Sequence, residues 1–173
     1  MKFKILSLIA LLLIVFSCTV NYTTKSGTTP TEAKSIYIPV IYNEVGAGPS
    51  SMSQDFTELL REYFQRNTKL DITKAEVIGE LTLEGYITGY YVKPISPSAG
   101  VNGLEEAAQN RLTMVVKMKY INPFNKKDNF DQNFTYFKDF DGDKSLSEVE
   151  SELLEEIYEQ LIIQIFNKSF DNW

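Results

Sequence analysis

The chain contains one cysteine, Cys18, and no histidine among its 173 residues. Without histidine, the commonest general base and the commonest transition-metal ligand are missing. Neither a Ser-His-Asp arrangement nor a Cys-His pair can be built. Gly46-Ala47-Gly48 lacks the Lys-Ser/Thr that would complete a phosphate-binding loop. Two other spacings carry possible chemistry. Asp139, Asp141, Asp143, Ser145 and Glu150 occupy positions 1, 3, 5, 7 and 12 of an EF-hand loop. However, the turn position that needs Gly is Lys144, and the preceding pattern is a strand. An acidic loop capping a helix is the plainer reading, and no metal is expected. Arg111, Lys117 and Lys119 are spaced to share one strand face. Cationic side chains there suit a phosphorylated lipid, and the same pattern is equally that of an ordinary solvated strand.

Cys18 has a clearer use. Val15-Phe16-Ser17 before it resembles the bacterial lipobox, in which the Cys is acylated and becomes the mature N-terminus. Phe16 is bulkier than the usual occupant. Lys2 and Lys4 precede an apolar run over residues 5–16 broken only by Ser7. This matches the ~7–15 residues of a signal-peptide core and falls short of the ~20 that span a bilayer. The expectation is a signal peptide over residues 1–17 and a covalent lipid on Cys18, with no other cofactor. A lone thiol has no disulfide partner in an oxidising compartment, and two or more acyl chains hold a protein stably on its membrane. Thr19 in place of aspartate points away from inner-membrane retention. The expected location is the outer membrane, lipid-anchored on the periplasmic side. Net charge is −6, and cleavage would remove two lysines and no acid. Such a chain is a poor partner for nucleic acid, whose binding rests on phosphate neutralisation.

Residues 18–34, rich in Thr, Ser and Lys, read as a flexible tether, leaving residues 35–173 as one domain. Ile36, Ile38 and Val40 alternate with Tyr37, Pro39 and Ile41, which predicts a first strand near an edge or bulge because of Pro39. Ser51 and Gln54 resemble a capping box, and Phe56, Leu59, Leu60, Tyr63 and Phe64 form a helical stripe ending near Asn67. A short strand is predicted over 70–73 and a longer one over 81–92, with Leu81, Leu83, Ile87 and Tyr91 on one face. Residues 94–103 read as a loop. From Asn110, Leu112, Met114, Val116 and Met118 point one way and Arg111, Thr113, Lys117 and Lys119 the other. Residues 130–137 return antiparallel. Tyr86, Tyr90, Tyr91, Phe134, Tyr136 and Phe137 read either as core and cross-strand pairs or as a ligand surface. Ser147 and Glu150 suggest a second capping box. Val149, Leu153, Ile157, Leu161 and Ile165, widened by Leu154, Tyr158 and Ile162, give the last helix. Trp173 is expected to pack or anchor the terminus. The expected class is α+β: two helices packed on one face of a four- to five-stranded mixed, largely antiparallel sheet.

With those elements placed, the chain resembles the lipopolysaccharide-assembly lipoprotein family LptE, in the form found in Bacteroidetes. The resemblance is carried by Ser53-Gln54-Asp55-Phe56-Thr57-Glu58, by Leu83-Glu84-Gly85-Tyr86-Ile87-Thr88-Gly89-Tyr90, and by Asn110-Arg111-Leu112-Thr113 leading into Val115-Val116-Lys117-Met118-Lys119. Asp139-Phe140 before Ser145-Leu146 adds to it, as does the C-terminal stretch with Glu155-Glu156-Ile157, Ile165-Phe166-Asn167-Lys168 and Asn172-Trp173. The resemblance implies a non-catalytic α/β sandwich that plugs the LptD β-barrel, supports its assembly and aids passage of lipopolysaccharide to the outer leaflet. Members also bind lipopolysaccharide directly, but no residue credited with that is matched here. The alternative is a freestanding periplasmic-facing lipoprotein that binds an anionic lipid. A carboxylate-based hydrolase is the third reading, and it requires two inward-facing acids. Replacing Cys18 with Ser should abolish incorporation of labelled fatty acid and move the protein from the detergent phase to the aqueous phase on partitioning. An unlabelled native chain would overturn the lipobox reading.

Overall fold

A computed structural model describes residues 32–77, 80–95 and 108–170. Cys18, most of the tether, most of the 94–103 loop and Trp173 lie outside the described residues. Period-two patterning yields strands β1 (Ser35–Tyr37), β2 (Tyr42–Asn43), β3 (Asp71–Thr73), β4 (Leu81–Ile95), β5 (Gln109–Ile121) and β6 (Phe130–Asp141). Helical spacing yields α1 (Met52–Asn67) and α2 (Leu146–Phe170). One mixed sheet runs β3-β1-β4-β5-β6, with β2 also paired to β4. β1 is parallel to β3 and β4, β2 is parallel to β4, and β4-β5-β6 is an antiparallel ribbon. The α+β class with both helices on one face is as the patterning predicts. The sheet has six strands because the first predicted strand ends at Tyr37 and a further short strand, β2, forms beyond it at Tyr42–Asn43.

Pro39 lies in the gap between β1 and β2. A proline cannot donate to a ladder, and the chain takes one residue more between Ile36 and Tyr42 than β4 takes between their partners Leu81 and Tyr86. The extra residue reverses the face, so Ile41 is buried and Val40 is exposed, opposite to simple alternation. Helix α1 supplies the hydrogen bonds this segment lacks. Ser53, Thr57 and Arg61 recur every four residues and form a stripe along the helix. The Asn43 N–H donates to Ser53 Oγ and the Ile41 N–H to Thr57 Oγ1, each at 2.9 Å. Arg61 donates from Nε and Nη2 to the Ile38 carbonyl at 3.0 and 2.7 Å. These buried backbone groups would otherwise be costly to leave unpaired.

A second reversal occurs in β4. Ile87 pairs with Val116 but Gly89 with Val115, leaving Thr88 as an extra residue in a β-bulge. Beyond it Tyr90 points into the core and Tyr91 outward, not the Leu81–Leu83–Ile87–Tyr91 face that unbroken alternation predicts. Leu112, Met114, Val116, Met118 and Tyr120 of β5 are fully buried under the helices, as are Phe56, Leu60 and Phe64 of α1 and Ile157, Leu161 and Ile165 of α2. Leu59, placed on that stripe by spacing, is instead exposed. Burying each such side chain contributes roughly 1.5–3 kcal/mol. Aromatic edge contacts lock the helices together: Phe56 on Tyr158 at 5.6 Å, Phe64 on Phe166 at 5.1 Å and Tyr63 on Phe166 at 5.2 Å. Burial also pushes the phenols of Tyr90, Tyr120 and Tyr158 far above the ordinary tyrosine value.

Neither predicted capping box forms, and only the second has a counterpart nearby. Ser51 makes no side-chain cap bond, and Gln54 instead donates to Glu58. At α2 the box is Ser145–Glu148: both the N–H and the hydroxyl of Ser145 donate to Glu148 Oε2 at 2.7 Å. Those bonds hold the Glu148 carboxyl below its usual range. Glu150, released from that role, accepts the Tyr90 hydroxyl. At Gly85 the neighbouring strand β5 leaves no room for a side chain, since an added Cβ would strike the Lys117 carbonyl and the Met118 sulfur. Gly85→Ala should therefore lower stability by about 1–3 kcal/mol through forced strand displacement. Denaturant unfolding measures it, and an unchanged midpoint would contradict the close approach.

Candidate functional site

The helices cover one face of the β4–β5–β6 ribbon, and the other carries the residues with functional potential. Antiparallel pairing sets them in rows across three strands. Lys93, Arg111 and Asp139 form one row, and Tyr91, Thr113 and Phe137 the next. Beyond the bulge come Tyr86, Lys117 and Asn133, then Glu84, Lys119 and Asp131. Parallel pairing adds Tyr42 beside Tyr86. Tyr42, Tyr86, Tyr91 and Phe137 are all large and exposed, Tyr42 by 61%. Thr113, flanked by Tyr91 and Phe137, is buried although it lies on this outer face.

Arg111, Lys117 and Lys119 do share this face, as their spacing predicts. Each is matched by a carboxylate. Arg111 makes a bidentate pair with Asp139, Nε to Oδ1 at 2.7 Å and Nη2 to Oδ2 at 2.9 Å, and its guanidinium lies 3.7 Å from the Phe137 ring centroid. Lys119 reaches Glu84 at 2.9 Å and Lys117 reaches Asp131 at 3.4 Å. Hydrogen bonding to Glu84 raises the Lys119 ammonium. Lys93 was not singled out from the sequence. The Thr88 bulge turns it onto this face, where it stands 5.0 Å over Tyr91 without a carboxylate partner among the described residues. Glycines at 85 and 89 were the available signal, since glycine within a strand often marks a bulge.

Of the six aromatics read from sequence as core or surface, Tyr90 and Phe134 are core, Tyr136 packs against it, and Tyr86, Tyr91 and Phe137 are exposed. The acidic stretch runs from the end of β6 into α2, and all of its EF-hand-spaced residues except Asp143 have a side-chain partner among the described residues. Asp139 is held by Arg111, Asp141 pairs with Lys144 at 3.5 Å, Ser145 caps α2 and Glu150 meets Tyr90. No group of three His, Cys, Asp or Glu side chains among the described residues is arranged to hold a metal ion. No carboxylate is buried among them either, so the paired inward acids that hydrolysis requires are not found there. No helix among the described residues is long and apolar enough to cross a membrane.

The domain is an α+β sandwich with one sheet face capped by helices and the other aromatic, with three of its cations paired to carboxylates. The chain belongs to the LptE family of lipopolysaccharide-assembly proteins, whose profile matches residues 33–169. That family is a non-enzymatic component of lipopolysaccharide assembly. No curated protein matches the chain. Among solved structures it is similar to a minor lipoprotein from Acinetobacter baumannii, at 13% identity and TM-score 0.52, over 80% of this chain and 92% of that one. It is also similar to a neuraminyllactose-binding hemagglutinin homolog from Helicobacter pylori, at 11% identity and TM-score 0.52, over 87% and 90%. A third is protein CT253 from Chlamydia trachomatis, at 9% identity and TM-score 0.50, over 81% and 100%. At these identities the likeness is one of fold.

The Arg111 guanidinium beside Asp139 holds its carboxyl below the ordinary range. A folded value below the unfolded one means the pair stabilises above about pH 4 and ceases to as pH falls through the folded value. The urea midpoint of the native protein should exceed that of Asp139→Asn between about pH 5 and 7, and the gap should close progressively below about pH 4. A gap independent of pH would show that the carboxylate charge contributes nothing.

Proposed function

We propose that this lipopolysaccharide-assembly protein is the lipoprotein partner of an LptD-type β-barrel. A lipid on Cys18 holds it to the periplasmic side of the outer membrane, and the tether of residues 18–34 lets the domain enter the barrel lumen as a plug. The observation that carries this reading is the uncovered sheet face. Tyr42, Tyr86, Tyr91 and Phe137 stand there beside Arg111, Lys117 and Lys119, three cations that already have their countercharges. Tyrosine and arginine are enriched at protein interfaces, and ion pairs closed within one partner meet a polar lumen wall without leaving a buried charge unpaired. Contact of Arg111, Lys117 and Lys119 with lipopolysaccharide phosphates belongs to the same proposal, and it requires each cation to exchange its carboxylate for a phosphate. The freestanding lipid-binding alternative is distinguished by an apolar cavity in the domain and by co-purified lipid without a barrel.

Affinity purification of the acylated protein in mild detergent, followed by mass spectrometry, tests the reading. A large β-barrel should accompany the native chain and be depleted at least tenfold by the double variant Tyr86→Glu and Tyr91→Glu. Recovery of the native chain without any barrel would sink the proposal.

A further inference from the structure

Strand pairing brings separated parts of the chain to one end of the sheet. Ser35 of β1 stands beside Asp71 of β3, Ile36 beside Leu81 of β4, Thr82 beside Ile121 of β5, and Tyr120 beside Phe130 of β6. The tether of residues 18–34 therefore enters the domain at the end from which the β5–β6 turn projects. Both helices finish there too. Helix α1 ends at Asn67 just before β3, and α2 at Phe170, whose ring lies 6.1 Å from that of Tyr120.

Charge is divided between this end and the opposite one. Lys34, Lys69, Lys126, Lys127 and Lys168 are exposed at the tether end, and none has a carboxylate partner among the described residues. Two nearby carboxylates hold the backbone and the turn instead. Glu80 accepts the N–H groups of Lys34 and Ser35 at 3.0 and 3.1 Å, and Asp128 accepts the side-chain amides of Asn122 and Asn125 at 3.0 and 2.9 Å. The far end, where β6 runs into α2, exposes Asp141, Asp143, Glu148 and Glu152. The turn itself is braced from within. Asn122 is buried, and its Oδ1 accepts the N–H groups of Phe124 and Asn125 at 2.9 and 3.1 Å. On this fixed backbone the Phe124 ring is 39% exposed, with Lys126 and Lys127 close beside it in the chain.

An exposed ring beside lysines suits a lipid–water interface, where the ring sits at headgroup level and the ammonium groups meet phosphates. The tether favours lipid over a protein as the occupant. As a flexible chain it spans roughly 20–25 Å, whereas β4 alone is about 45–50 Å long. This end therefore stays nearer than any other to the leaflet holding the anchor. Charges farther than about 8 Å from that surface are screened, so the acidic far end does not oppose the approach. Lys69 and Lys168 also answer helix C-termini, which leaves Lys126 and Lys127 as the cations free to take phosphates. We propose that the tether end docks on the leaflet carrying the anchor, with Phe124 among the headgroups and Lys126 and Lys127 on the phosphates of anionic phospholipid. The inference rests on the lipid on Cys18 and not on the barrel. It describes the lipoprotein outside the barrel, and the open sheet face stays uncovered, because that face runs along the strands and not across their ends.

The full acylated chain is reconstituted in phosphatidylcholine vesicles with or without phosphatidylglycerol. An environment-sensitive fluorophore is attached at Phe124→Cys or, at the far end, at Asp143→Cys; an acylated Cys18 does not take the label. Emission from position 124 should shift to the blue on phosphatidylglycerol vesicles, and emission from position 143 should not. Omitting phosphatidylglycerol, or introducing Lys126→Glu with Lys127→Glu, should lower the ratio of docked to undocked protein roughly tenfold or more. The substituted residues are all exposed, and thermal melting verifies that each variant stays folded. No shift at 124, an equal shift at 143, the same shift on neutral vesicles, or a shift untouched by charge reversal would each overturn the inference. A shift at 124 that requires a co-reconstituted barrel overturns it as well, since this end then meets protein and not lipid. If docking fails while the barrel still co-purifies, the barrel partnership stands. Labelling of Cys18 would reveal a free thiol and strike the anchor on which both proposals depend.

Discussion

Only one face of the β4–β5–β6 ribbon is buried, and that one-sidedness governs the rest of the molecule. Successive strand residues point to opposite faces, so placing Leu112, Met114, Val116 and Met118 beneath the helices commits Arg111, Thr113, Lys117 and Lys119 to the other side. The same geometry carries the choice sideways, because cross-strand partners share a face. Tyr91 and Phe137 flank Thr113 and cover it. The Thr88 bulge is the point at which β4 changes its commitment. It sends Tyr90 inward to reach Glu150 and puts Lys93 and Tyr91 on the open surface. One inserted residue thereby alters both the core and the candidate interface.

The N-terminal edge meets a different problem, a strand interrupted by proline. A sheet that lost its ladder between Ile38 and Asn43 would leave polar backbone near the core. Helix α1 resolves this with three side chains of different chemistry at four-residue intervals. Two hydroxyls accept from N–H groups, and a guanidinium donates twice to a carbonyl. This polar stripe runs beside the apolar one, so α1 serves the core and the broken strand together. The apolar stripe is correspondingly narrowed, and Leu59 lies outside it in solvent.

The open face is polar yet largely charge-compensated. On the open face, Arg111, Lys117 and Lys119 have their countercharges built in, and an aromatic ring lies under Arg111 and another under Lys93. Such a surface presents shape, aromatic area and hydrogen bonds rather than net charge, as suits contact with another protein's wall.

Much of this was present in the residues taken in order. Regular periodicity identified α2, the alternation of β5, the α+β class and the shared face of Arg111, Lys117 and Lys119, because each depends on spacing within one uninterrupted element. The order of elements and several short stretches also carried the family resemblance. What local spacing did not disclose lay at interruptions: the phase after Pro39, the bulge at Thr88 and the frame of the α2 cap. In each case a contact from a distant element chose between alternatives that are almost equal locally. Thr57 and Arg61 selected the path of residues 38–43, and Val115 selected the register of Gly89. Tyr90 took Glu150, and Ser145 closed the cap with Glu148. The pairing of the surface cations likewise required β4, β5 and β6 to be set side by side. A one-dimensional pattern records which residues share a face, but only packing between elements determines what stands opposite them.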